Sequence, residues 1–334
     1  MQLTDAERKA KVLAWALACK PFCRASVALA TDQLLATLVP LVATVALMMF
    51  LVAKGHYEIF ILMPVASGLL VRIFIIQHDC GHGSYLPNQR HNEFLGHFLS
   101  VLTFTPYGVW RREHAQHHRG SANLARRGVG DIDLLTVREY VALPPNRKWW
   151  YRVIRNLPFL VFFGGPFYFL VLNRFPWGRG FPAREVWKNV LGLDAAIVIL
   201  YGTLGAYAGY GTVALVIAPT AYIATAIGVW LFYIQHQFES SRWWPEDEWD
   251  FQVAAIYGSS YYDLPKWLAW FTGNIGIHHI HHLSIKIPNY FLDLCLAANP
   301  ELKDLNRLTF RESIENCPKG KLWDEKHGCL VGYP

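Results

Sequence analysis

The chain has 334 residues, of which 53% are apolar, 15% aromatic and only 17% charged, with a formal net charge of +6. Length alone would permit one large or two ordinary domains, but this composition excludes an ordinary soluble globular protein and points to a membrane protein. No signal peptide is expected, because the N-terminal stretch is polar and the first apolar run begins only at Leu34. Four runs are long enough to cross about 30 Å of hydrocarbon at about 1.5 Å per helical residue: residues 34–53, 59–76, 190–209 and 212–235. The second carries Arg72. Two weaker apolar runs cover Phe94 to Trp110 and Leu157 to Leu172, the latter interrupted by Gly164, Gly165 and Pro166.

Charge placement orients these segments. Arg8, Lys9, Lys11, Lys20 and Arg24 precede the first span, and Arg111, Arg112, Arg119, Arg126, Arg127, Arg138, Arg147, Lys148, Arg152 and Arg155 follow the second. By the positive-inside rule both regions are cytoplasmic, while the turns at Lys54 to Glu58 and at Tyr210 lie outside. Leu157 to Leu172 is flanked by Arg152 and Arg155 on one side and by Arg174, Arg179, Arg184 and Lys188 on the other. It is therefore expected to dip into the membrane and return, and Phe94 to Trp110 to lie on the cytoplasmic surface. The expected fold is an all-α integral membrane protein. It is one domain over 1–334, with four transmembrane helices, membrane-dipping segments and a cytoplasmic helical cap over about 77–156 and 236–334. The cell's inner (plasma) membrane is the expected location, and no nucleic acid is expected as a partner.

Histidine carries the chemistry. HDCGH supplies His78 and His82; HAQHH supplies His114, His117 and His118; HHIHH repeats that spacing as His278, His281 and His282; QHQFE adds His236. Residues three and four apart share a helix face, so each group can aim its imidazoles at one point. With 14 histidines in the chain, two H-x-x-H-H motifs would arise by chance on the order of once in a few thousand such sequences, so the repetition favours ligation over coincidence. The four-span arrangement places all these groups on one side of the bilayer; one span more or fewer would divide them. His56, His91, His97 and His327 fit no repeated spacing and are read as surface or hydrogen-bonded residues. The six cysteines form no zinc-like pair of C-x-x-C motifs and are read as small apolar side chains on a reducing face.

A structural zinc closes with four ligands, usually including cysteine, and a catalytic zinc keeps three and a water. Nine imidazoles exceed one ion's needs; two ions with four or five each, and positions left for oxygen, suit iron. Soluble di-iron carboxylate proteins use Glu-x-x-His, which is absent from this sequence. A di-iron centre here would be of the histidine-rich kind. Acidic groups beside the motifs, Asp79, Asp131, Asp133 and Glu239, are candidates to orient the ring N–H groups and offset the charge of the ions.

HDCGHGS, WRREHAQHH, the following GDID, LFYIQHQFE, YGSSYYDLP and TGNIGIHHIHHL resemble the membrane fatty-acid desaturases of the bacterial acyl-lipid or omega-6 type, within the desaturase and hydroxylase superfamily. The resemblance runs from about Leu69 to about Pro288. It implies a cytoplasm-facing di-iron centre beneath four transmembrane helices, consuming oxygen and two electrons to remove two hydrogens from an acyl chain held by a lipid or acyl carrier. The ligands it implies are His78, His82, His114, His117, His118, His236, His278, His281 and His282, with His279 matching no ligand position. One departure stands out: related acyl-CoA desaturases place an asparagine one turn before the separate histidine, and this chain has Phe232 there. Asn274, one turn before His278, is the candidate replacement. With no cytochrome-like segment, electrons are expected from a separate carrier such as ferredoxin. A hydroxylase, ketolase or acetylenase on the same scaffold would share every histidine. A histidine-rich metal transporter would instead place its ligands within the spans.

Overall fold

The computed structural model of the chain describes residues 4–128, 130–176 and 181–334; Arg179, one of the basic residues counted above, lies outside them. Four long apolar helical stretches match the four expected spans and overrun them: Val27–Ala53, Tyr57–His82, Ala183–Ala208 and Tyr210–His236. The overrun has a physical use. A helix of 27 residues such as Tyr210–His236 is about 40 Å long and exceeds a hydrocarbon layer of about 30 Å by about two turns, long enough to carry its last residue, His236, past such a layer. Outward faces keep apolar side chains exposed, among them Leu191, Val198 and Ile199, a surface suited to lipid rather than water.

A fifth stretch, Leu157–Arg174, is also long and apolar enough to cross. It is not one regular helix: Leu157–Phe159 is α-helical, Leu160–Gly164 widens to a π-turn, Gly165–Leu170 returns to α and Leu172–Arg174 tightens to 3-10. The sequence explains the break. Pro166 has no N–H to give the carbonyl of Phe162, four residues earlier, and the Tyr222 hydroxyl from the Tyr210–His236 helix donates to that carbonyl instead.

Arg72 is buried within the Met63–His82 helix. Its Nε donates to Thr37 Oγ1 at 3.0 Å, another guanidinium N–H reaches the Trp270 carbonyl, and the group lies 4.2 Å from the Trp270 ring centroid. A charge inside a span needs such partners, and here they tie the span to the short helix Lys266–Phe271 that precedes the third histidine motif.

The cap departs from the all-α expectation. Leu135–Thr136 pairs in parallel with Leu322–Trp323, which pairs antiparallel with Cys329–Val331, and Tyr261–Asp263 pairs in parallel with Arg307–Thr309. Strands of two or three residues are too short to show alternation in sequence. Their effect is to fasten the chain beyond Pro288 onto the cap. That segment is less polar than its composition suggests: Leu292, Cys295, Leu296 and Leu302 share one buried cluster with Val12, Trp15 and Cys19 of the first helix and with Ile280 and Leu283 of the third motif. All six cysteines are free thiols.

Candidate metal centre

Four elements converge beneath the cap. His78 and His82 occupy the last turn of Met63–His82, which Gly83 ends in a left-handed conformation, φ 63°, its N–H returning to the Asp79 and Cys80 carbonyls. A Cβ on Gly81 would stand 2.9 Å from the Trp110 ring, so this glycine permits the close approach of the Tyr107–Gly120 helix that carries His114, His117 and His118. His236 ends its helix, and His278, His281 and His282 lie on the six-residue helix His278–Leu283. Ser260, in the YGSSYYDLP stretch, joins the last two elements. Its N–H and hydroxyl donate to the carbonyls of Gln235 (3.0 Å) and Ile234 (3.1 Å), groups that a helix C-terminus leaves without partners, while its own carbonyl accepts the His279 N–H at 3.2 Å.

The ring nitrogens fall into two groups. Those of His78, His82, His114, His118 and His281 lie within 4.8 Å of one another, as do those of His117, His236 and His282. The ninth, His278, places Nε2 3.1 Å from His236 Nε2 and so adjoins the second group. Neither group contains a carboxylate or thiol. Eight of the nine rings belong to buried residues and His114 is half-buried. Within the first group consecutive Nε2 atoms are separated by 3.2 Å (His78 to His82), 3.1 Å (His82 to His114), 3.0 Å (His114 to His118) and 3.3 Å (His118 to His281). Hydrogen bonds alone cannot satisfy such a series: a ring nitrogen holds either a proton or a lone pair, and each inner nitrogen faces two others. Lone pairs converging on a cation can. Imidazole nitrogens sit about 2.1 Å from a metal, which puts two ligands at right angles about 3.0 Å apart. The buried Nε2 of His282 has no hydrogen-bond partner. Burial, reinforced by neighbouring imidazoles, holds His114, His118, His278, His281 and His282 well below the ordinary histidine range, so these rings are held neutral, the form that ligates. The residues present fit a metal centre.

Two of the candidate orienting acids meet histidines. Asp79 Oδ1 accepts from His78 Nδ1 at 2.9 Å, and its Oδ2 accepts from the backbone and side-chain nitrogens of Asn289 at 2.6 and 2.9 Å. Asp131 pairs with His117 Nδ1. In both cases the carboxylate takes Nδ1–H and leaves Nε2 facing the group. Asp133 and Glu239 are exposed; the loop conformation that carries GDID turns Asp131 inward and Asp133 out. Asn274 adopts φ 58°, with its carbonyl accepting from Ile277 N–H, so it shapes the turn before His278. Phe232 packs against the second group, its ring centroid 5.2 Å from those of His117 and His236. His279 points away, its ring against the Leu302 carbonyl at 3.0 Å, and burial pulls it down to about 4.

Sequence reasoning missed three contributors. Asn289 locks Asp79 from 210 residues away. Lys286 Nζ donates to the His82 carbonyl at 2.7 Å. Trp110 is buried and stacks on His114, ring centroids 4.8 Å apart. Only Trp110 had a signal available, its i,i+4 spacing to His114. Of the isolated histidines, His56 and His327 bond Glu58 and Asp324, and His91 and His97 are exposed.

Fold and site together define a membrane-helix scaffold that closes over histidine-only groups fitted to metal. Comparison with known proteins gives the class its family. The fatty acid desaturase family model matches residues 56–312. The chain is 41% identical over 302 residues to a fatty acid desaturase of Bacillus subtilis (strain 168), covering 90% of this chain and 85% of that one. It is 26% identical over 275 residues to the sn-1 oleoyl-lipid 12-desaturase of Synechocystis sp., covering 78% and 74%, and 24% identical over 288 residues to the chloroplastic omega-6 fatty acid desaturase of Spinacia oleracea, covering 79% and 58%. The chain belongs to the fatty acid desaturase family and is an oxidoreductase.

Proposed function

We propose that this chain is an oxygen-dependent di-iron desaturase that introduces a cis double bond into a membrane-lipid acyl chain. The observation that carries the reading is the pair of buried groups in which ring nitrogens approach to 3.0–3.3 Å with no carboxylate among them. His78, His82, His114, His118 and His281 would hold one iron; His117, His236, His278 and His282 would hold the other. When bound, the irons supply the oxidising power that an unactivated C–H bond demands. The chain does the rest: Asp79 and Asp131 fix ring tautomers and orientation, burial keeps the imidazoles neutral, and Trp110 and Phe232 wall the groups with apolar surface that excludes water. The balance is one acyl –CH2–CH2– with one O2, two electrons and two protons giving –CH=CH– and two waters. The electrons come from a separate carrier such as ferredoxin. The relatives named for action on oleoyl-lipid support a lipid-borne chain.

The reading uses four spans, with Leu157–Arg174 returning to the side it left, in the inner (plasma) membrane with the histidines facing the cytoplasm. Its two ends carry basic flanks, and its π-turn and proline interruptions suit a bend. In single-cysteine labelling, residues near Arg184 and Lys188 label from the cytoplasmic side; external labelling there removes the single-site arrangement. The reaction is tested by mass spectrometry of lipids from a host expressing the chain. Desaturation lowers the acyl mass by two units; a main product heavier by sixteen makes the enzyme a hydroxylase, the alternative that shares every histidine.

A further inference from the structure

A cavity of about 710 Å³ lies between the Gln89–Thr103, Tyr107–Gly120 and Ala183–Ala208 helices, and none of the nine grouped histidines lines it. Its wall on the third helix is Glu185, Lys188, Asn189, Gly192, Leu193 and Ala196. These positions follow i, i+3, i+4, i+7, i+8 and i+11, a single stripe of helix surface. Polarity falls along the stripe: acid, ammonium and amide come first, then Gly192, Leu193 and Ala196 as the helix enters the apolar run. Tyr107 and Arg112 face it from the helix that also carries His114. Tyr107 is 1% exposed, and its hydroxyl has no hydrogen-bond partner. Glu185 answers the charge of Arg112, and Lys188 adds a further cation at the mouth.

We propose that this cavity seats the phosphodiester headgroup of a membrane phospholipid, with the first methylenes of its acyl chain following Gly192, Leu193 and Ala196. The inference rests on the reading that the acyl chain is lipid-borne. An amphiphile of that kind has the same gradient as the stripe, an anion at the membrane surface and hydrocarbon below it. The Lys188 ammonium is a donor for phosphate oxygens, and the excess of one cation over the Arg112–Glu185 pair selects an anionic group. The volume falls in the range of built small-molecule sites, about 300–1,000 Å³. Tyr107 and His114 are seven residues apart on one helix, about 10 Å along its axis, so a lipid seated here is a neighbour of the metal groups. Nothing lies within 4 Å of a Cβ added to Gly192; a larger side chain there enters the cavity without displacing protein.

The test is native mass spectrometry of the full-length protein released from detergent with dioleoyl phosphatidylglycerol, with dioleoylglycerol, or with inorganic phosphate. The wild type should retain the phospholipid, and Lys188→Glu and Gly192→Leu should each weaken retention at least tenfold at unchanged helix content by circular dichroism. Dioleoylglycerol should bind at least tenfold more weakly than the phospholipid, and inorganic phosphate should not displace it. Equal retention by all three proteins overturns the seat, as does equal binding of dioleoylglycerol, which would make the cavity an apolar groove only. Displacement by inorganic phosphate overturns it in favour of a free-phosphate site. The readout needs no turnover: if the variants lose the adduct while expressed lipids show no desaturation, the seat stands and the proposed reaction falls.

Discussion

The two orienting carboxylates do the same job in unlike surroundings. Asp79 sits near the end of the Met63–His82 helix, its side chain 1% exposed, bonded to His78 on one side and twice to Asn289 on the other. Asp131 comes from the loop after the Tyr107–Gly120 helix, and its hydrogen bond is to His117. One acid is a structural cross-link that also orients a ring; the other orients a ring and fastens little else. The contrast separates two contributions that a histidine motif read alone merges: holding the fold together and presenting the nitrogens.

The largest effects should ignore the contrast. Replacing any of the nine histidines of the two groups by alanine should bring desaturation to background and lower bound iron, because each group is built from imidazoles alone; wild-type turnover in any one of these variants would remove that residue from the site. The acids then divide. Loss of a group that orients a metal-bound histidine costs about 10–100-fold in activity or metal affinity, so Asp79→Ala and Asp131→Ala should both fall in that range. Asp79→Ala should also unfold earlier than Asp131→Ala, since it leaves three donors of His78 and Asn289 buried and unpaired at about 1–3 kcal/mol each, against the single His117 Nδ1 donor for Asp131. Thermal unfolding in detergent beside an activity assay reads both; equal destabilisation would erase the distinction. His279→Ala should show the smallest functional effect, with activity within a few-fold of wild type. Its stability should drop by about 0.5–1.5 kcal/mol for the lost hydrogen bond to the Leu302 carbonyl, which keeps the Leu305 N–H. An inactive His279→Ala beside an active His278→Ala would reverse the assignment within the third motif.

Local features were legible in sequence because they depend on spacing. Apolar length gave the four helices, though not the turns that continue them, where polar residues such as Gln77, Asp79 and His82 break the apolar run. The i,i+3 and i,i+4 spacings marked out the histidine groups, and the family resemblance set His279 apart from them. What spacing could not give is which histidines meet: His281 joins the group of His78, and His282 joins that of His117 and His236, although they are adjacent in sequence. That partition depends on Ser260 bridging two helix ends, on Asn289 reaching Asp79, and on Gly81 letting Trp110 close in. Each is a contact between residues far apart in the chain. Asp131 and Asp133 were equal candidates for the same reason, because the turn that separates them is set by packing.

The central claim is that two histidine-only groups hold two irons. Metal analysis of the purified, active chain tests it most directly. The account predicts two iron atoms per chain, falling together with activity when a chelator removes them and returning together on reconstitution with ferrous iron. Full activity with a single iron, or with zinc in place of iron, would contradict it.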